Sequence, residues 1–126
     1  MNNRFNIRYF NKNTKEFEYH KIGAINTKPY TDCTIYEEGQ FCTGLKDKNN
    51  KLIYEGDTIK CYFMNDDTGM LDYDIMKVIF DTKAAAFGLI GLKTKNIEYF
   101  SDFEFNPKEY EVIGNTFENM ELLNDR

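Results

Sequence analysis

The sequence predicts a mainly β domain: an SH3-like small β barrel, preceded by an N-terminal β hairpin and followed by a short C-terminal helix. Three observations carry that expectation. Apolar and polar residues alternate in short runs, turn residues divide those runs every ten residues or so, and five runs follow one another after Leu52. At 126 residues and 14.9 kDa the chain fits one domain, able to bury roughly two-thirds of the surface its extended form exposes.

Taken in order, Phe5, Ile7 and Tyr9 alternate with Asn6 and Arg8, residues 11–15 are all turn-compatible, and Phe17 and Tyr19 alternate with Glu16 and Glu18. Residues 1–22 therefore read as a hairpin. Residues 23–51 read as an irregular arm that ends in a TGLKD motif. Pro29, Gly39 and the Glu37-Glu38 pair interrupt its apolar residues, and only 34–36 looks strand-like. Residues 52–117 hold the expected barrel strands.

The first of the five strands, 58–63, places Ile59, Cys61 and Phe63 on one face and follows the turn Glu55-Gly56-Asp57. The next, 74–80, aligns Met76, Val78 and Phe80. Strands at 85–92, 97–105 and 110–115 complete the set, with turns at 65–69, 81–83, 93–96 and 106–108. Strict alternation in 97–105 would point Ile97, Tyr99, Phe103 and Phe105 inward and Glu98, Phe100, Asp102 and Glu104 outward. Residues 118–126 read as a short helix and tail. Asn119 is its N-cap, Glu121 lies in its first turn, and Leu122 and Leu123 pin it to the barrel.

The net charge of -5 is uneven: residues 1–60 carry ten Lys/Arg against eight Asp/Glu, and residues 61–126 carry six against thirteen, giving +2 and -7. No basic stripe stands out, which disfavours direct nucleic-acid binding. The acidic half instead leaves room for imitation of a polyanion. No run approaches the roughly 18 apolar residues of a membrane span, and the opening MNNRFNIRYF lacks the apolar centre of a signal peptide. The expected location is the cytoplasm, with no membrane partner.

Candidate chemistry is sparse. Cys33, Cys42 and Cys61 are spaced by nine and nineteen, which fits neither a disulfide framework nor paired CxxC zinc ligands, even with His20 as a fourth group. Reduced thiols, no metal and no cofactor are the expectation. Asp66, Asp67, Asp72 and Asp74 surround Gly69 without the spacing or terminal Glu of a calcium loop. His20 and Ser101 lack a nucleophile motif, and Gly88 and Gly91 are not followed by the Lys-Ser/Thr of a phosphate loop. The chain is therefore expected not to be an enzyme.

The segment TGLKDKNNKLIYEGD at 43–57, VIGN at 112–115 and ENMELL at 118–123 together resemble the YopX family of small phage and prophage proteins. Two departures are visible: the family usually has Gly where this chain has Asn50, and Pro where it has Met120. Asn tolerates the left-handed conformation better than other non-Gly residues, and Pro in a first helical turn is helpful rather than necessary. The resemblance implies a mainly β, SH3-like architecture, a phage or mobile-element origin and no established activity. Within the motif, Gly44 and residues 47–50 make turns while Leu45, Leu52 and Ile53 feed the core.

The expected function is a non-enzymatic protein-interaction module. Its candidate surface comprises Asp47, Tyr54, Glu55 and Asp57 beside rigid turns, the loop carboxylates Asp66, Asp67, Asp72 and Asp74, and an outward Phe100. The expected partner is a host or phage protein. Open sheet edges add a homo-oligomer to the alternatives. A second alternative is an anti-defence inhibitor, for example an anti-CRISPR, acting as an acidic blocker of a nucleic-acid channel; a direct nucleic-acid binder ranks below both.

Overall fold

The structure, a computed structural model, describes residues 6–21, 32–91 and 96–118. Its strands are β1 (Asn6–Asn11), β2 (Glu16–Lys21), β3 (Gln40–Lys46), β4 (Leu52–Tyr54), β5 (Asp57–Met64), β6 (Leu71–Asp81), β7 (Ala86–Gly91), β8 (Ile97–Tyr99) and β9 (Tyr110–Asn115). They form two antiparallel sheets, one ordered β2-β1-β3-β4 and the other β8-β7-β6-β5-β9.

The N-terminal hairpin is as the alternation predicts, with Phe10 opposite Phe17 and Ile7 opposite His20. Asn11 shapes its turn by accepting the N–H groups of Asn13 and Thr14 on Oδ1. The expected irregular arm is shorter than the sequence suggests. Residues 40–46, assigned to it above, are strand β3, which joins β1 through Ile7 opposite Phe41 and joins β4 through Cys42 opposite Tyr54. A register shift between Cys42 and Lys46 hides this strand from an alternation test, and Gly44 takes the required positive φ of 86°. Strand β4, expected in the barrel, belongs to this first sheet. Residues 22–31 lie outside the described residues.

The turn after β3 is held by one carboxylate. Asp47 Oδ1 accepts from the N–H groups of Asn49 and Lys51, and Asn50 sits at φ 65°, the left-handed conformation that Asn tolerates.

The second sheet contains the five later strands in the expected sequence but does not close into a barrel. Among the described residues β9 pairs with β5 and β8 only with β7, so β8 and β9 are the edges of this sheet. The expected strand 97–105 stops at Tyr99, and a 3-10 turn at Phe100–Asp102 takes over, followed by a second at Pro107–Glu109. Register also inverts the expected faces of β8: Glu98 lies opposite the buried Leu89, so Ile97 and Tyr99 occupy the other face. Phe100, in phase with Glu98, packs against the core with Phe103 and Phe105 rather than pointing outward. Beyond β9, Thr116–Glu118 form a turn, Asn115 Oδ1 accepting from the N–H groups of Phe117 and Glu118. The rest of the expected C-terminal helix lies outside the described residues.

Ile53, Ile59, Val78 and Leu89 form the fully buried centre, with Leu45, Cys61, Met76 and Val112 packed around it. Ile53 comes from one sheet and the other three from the second, so the hydrophobic core spans both. A second, aromatic cluster joins Phe10 to Phe117 and Phe17, with centroids 5.2 Å apart in both pairs.

The sheets are also joined by a buried ion pair. Arg8 on β1 meets Asp57, the first residue of β5, at 2.7 Å, with both side chains almost wholly buried. Arg8 further donates to Gln40 Oε1 and to the Glu55 carbonyl, and its guanidinium lies 4.1 Å from the Phe17 ring centroid and 4.7 Å from that of Tyr54. Asp57 accepts the Tyr54 N–H on its other oxygen. Removing one partner by Asp57→Leu or Arg8→Met leaves a buried charge uncompensated and should cost about 3–5 kcal/mol in urea unfolding. The double variant Arg8→Met/Asp57→Leu should recover most of that loss, and full additivity of the two single losses would refute the coupling.

Candidate interaction surface

The sequence-derived surface splits into two groups that the fold treats differently. Asp47, Tyr54 and Asp57 are buried and serve the structure. Asp47 uses its second oxygen to accept the Val112 N–H of β9 at 2.8 Å, tying the β3–β4 turn to the other sheet. Tyr54, pushed up to about 12 chiefly by burial, lies edge-on to Tyr19. Burial likewise pushes the Asp57 carboxyl above its ordinary value, against the opposing pull of Arg8 and the Tyr54 N–H. Glu55 is half-buried, is raised by the same cause and accepts the Phe41 N–H. Phe100 is partly buried against the core. Of these five, Asp47, Tyr54 and Asp57 are withdrawn from the surface.

Asp66, Asp67, Asp72 and Asp74 are exposed, Asp66 and Asp67 in the turn of the β5–β6 hairpin and Asp72 and Asp74 along the start of β6, opposite Phe63 and Cys61. This hairpin extends past β9, which pairs with β5 only as far as Cys61, and among the described residues β7 pairs with β6 from Met76 onward. Tyr62–Met64 and the facing residues 71–73 thus continue as a two-stranded ribbon beyond β9. Asn65 organises its turn by accepting the N–H groups of Asp67 and Thr68, while its own N–H donates to the Met70 carbonyl. Gly69 supplies the left-handed residue at φ 68°.

The ribbon is apolar as well as acidic, which sequence reading missed. Of the seven large hydrophobics exposed among the described residues, four (Phe63, Met64, Met70 and Leu71) lie here. Cross-strand register puts Met64 beside Leu71 and Tyr62 beside Tyr73 on one face, and Phe63 beside Asp72 and Cys61 beside Asp74 on the other. Lys60 caps the Tyr73 ring at 4.5 Å, Lys48 caps that of Tyr62 at 5.0 Å, and the Tyr62 hydroxyl donates to Glu111. The base of the ribbon is therefore braced while its tip stays apolar and open. The available signal was the run Tyr62-Phe63-Met64 continuing past the strand length that β9 covers.

A family model described as YopX protein matches residues 3–124. The chain belongs to the YopX family. Among solved structures, the crystal structure of protein EF1440 from Enterococcus faecalis is similar to this family member at 21% identity and a TM-score of 0.50. The match covers 93% of this chain and 96% of the other, and it speaks to the fold alone. No curated protein matches the chain.

Among the described residues no three His, Cys, Asp or Glu side chains converge as metal ligands, and no helix is long and apolar enough to cross a membrane. Cys33 is exposed, Cys42 is buried in β3 and Cys61 lies on the core face of β5. Burial, then Asp74 and Glu98, push the Cys61 thiol up to about 12, and burial raises Cys42 as well. Raised thiols stay protonated and unreactive in mildly alkaline buffer. A disulfide reagent should accordingly label Cys33 in the native protein and Cys42 and Cys61 only after denaturant is added; three-site labelling of the native form would contradict this arrangement.

Asp47 offers a separate check on the structural assignment. Asp47→Ala removes the acceptor of three backbone N–H groups and should cost about 3 kcal/mol of stability. A variant of unchanged melting temperature would return Asp47 to the surface.

Proposed function

We propose that this YopX-family protein is a phage or prophage accessory protein that acts in the bacterial cytoplasm as a non-enzymatic interaction module, presenting the β5–β6 tip to a host or phage protein. The observation that carries this reading is the clustering of Phe63, Met64, Met70 and Leu71 on a projecting, internally hydrogen-bonded ribbon. Exposed apolar groups on a rigid support gain free energy when a partner covers them, and a pre-ordered turn lowers the entropy that binding costs. The four surrounding carboxylates select a partner whose apolar patch has a basic rim, and disfavour a second copy of the same acidic tip. An anti-defence inhibitor that occupies a basic nucleic-acid channel is the narrower form of this reading, favoured by the same four charges.

The test is a shortened hairpin in which the residues between the cross-strand pair Tyr62 and Tyr73 are replaced by Asn-Gly, a two-residue turn suited to antiparallel strands. Affinity capture from prophage-bearing cells after nuclease treatment should yield a protein partner with the native chain and lose it with the shortened one, the two melting at similar temperatures. Asp66→Lys with Asp67→Lys should weaken the same partner most at low salt. Undiminished capture by the shortened chain would remove the tip as the binding element.

A further inference from the structure

Where β8 and β9 fail to meet, a cavity of about 410 Å³ opens, lined by Ile97, Glu98, Tyr99, Asp102, Phe103 and Tyr110. Its size falls within the roughly 300–1,000 Å³ of small-molecule sites. Among the described residues its lining holds three aromatic residues, an isoleucine, two carboxylates and no basic residue, with the Tyr99 hydroxyl engaged by Asp81.

The position of Glu98 is unusual for its row. Register sets Glu98 opposite Leu89, and Leu89 opposite Val78, so the carboxylate continues a core-facing row whose other two members are fully buried and apolar. Closure of the sheet would favour an apolar residue there. Glu98 is nonetheless exposed, because β8 is the open edge of the sheet. Asp102 is placed on the same cavity by the 3-10 turn that ends β8.

We propose that this cavity binds a guanidinium group, either the head of an arginine side chain in a peptide or a small free guanidinium compound. A planar cation can stack on the aromatic walls while its forked N–H groups meet the two carboxylates in charge-assisted hydrogen bonds. A guanidinium is also more weakly hydrated than an ammonium, so it enters a partly apolar cavity at lower desolvation cost. The site stands apart from the β5–β6 tip and holds whether or not that tip engages a protein.

Titration of isotopically labelled full-length protein, followed by amide NMR, tests it with four probes: Gly-Arg-Gly, Gly-Lys-Gly, the neutral isostere Gly-citrulline-Gly and agmatine. Gly-Arg-Gly should move the resonances of Glu98, Tyr99, Asp102, Phe103 and Tyr110, Gly-citrulline-Gly should not, and added salt should weaken the response. Glu98→Gln with Asp102→Asn should lower affinity about tenfold or more, because both charge-assisted contacts are lost. Both residues are exposed, so the double variant should melt with the native chain, and Asp102→Asn alone should show a smaller loss of the same sign. Agmatine matching the peptide would assign the site to a free guanidinium, and a peptide preference would assign it to a protein's arginine. Equal binding of the citrulline or lysine peptide, an undiminished response in the double variant, or no shifts at these residues would overturn the proposal.

Discussion

The fold depends on a buried cation placed between two sheets. Arg8 leaves β1 with its guanidinium between the rings of Phe17 and Tyr54 and reaches Gln40 on β3, the Glu55 carbonyl and the Asp57 carboxylate. A charge taken out of water is costly unless its donors are satisfied, and the partners that satisfy it here come from separate stretches of the chain. Those stretches must therefore assemble in one geometry. Gly56, at φ 88°, belongs to the same constraint, since a side-chain carbon at that position would collide with the Gln40 amide. Asp47 repeats the device across a longer stretch of chain by carrying its turn onto β9 through Val112.

Once the first sheet is anchored to the start of β5, the second sheet need not close to be stable. Its core is completed by Ile53 and Leu45 from the first sheet on one side and by the aromatic residues of the 100–110 segment on the other. Phe105 stacks on Tyr110 at 4.7 Å, and Phe100 meets both Phe103 and Phe105. Those rings do the covering that a closing strand would do in a barrel. The open design leaves two features that closure would remove: unequal strand lengths, which let the β5–β6 ribbon project, and an unpaired β8 edge, beside which an acidic and aromatic cavity forms. Family membership and the similarity to the Enterococcus faecalis protein speak to this architecture rather than to an activity.

Much of the local structure was legible in the sequence. The β1–β2 hairpin and the order of the later strands follow from alternation and turn chemistry, which act between residues close in the chain, and the left-handed Asn50 from the family's usual Gly at that position. Strand β3 was not legible, because the register shift around Gly44 disrupts the period that identifies a strand. Phe100 was misread because the alternation of Ile97–Tyr99 does not say which of its two faces meets the core; pairing of Glu98 with the buried Leu89 inverts the expected one, and Phe100 follows Glu98. For the candidate surface, the acidic loop was visible while its apolar half was absorbed into the strands beside it.

By itself the sequence determined the β class, the turns and the family, because those rest on backbone preferences and short-range patterning that each segment carries alone. Only the tertiary structure decided which polar residues are structural and which are exposed. Asp47 and Asp57 have the same side chain as Asp66 and Asp67, yet the first two are buried acceptors and the last two are solvated. The difference is desolvation. Whether a carboxylate loses its water depends on partners brought from 49 residues away to Asp57 and from 65 away to Asp47, and no local pattern encodes their arrival.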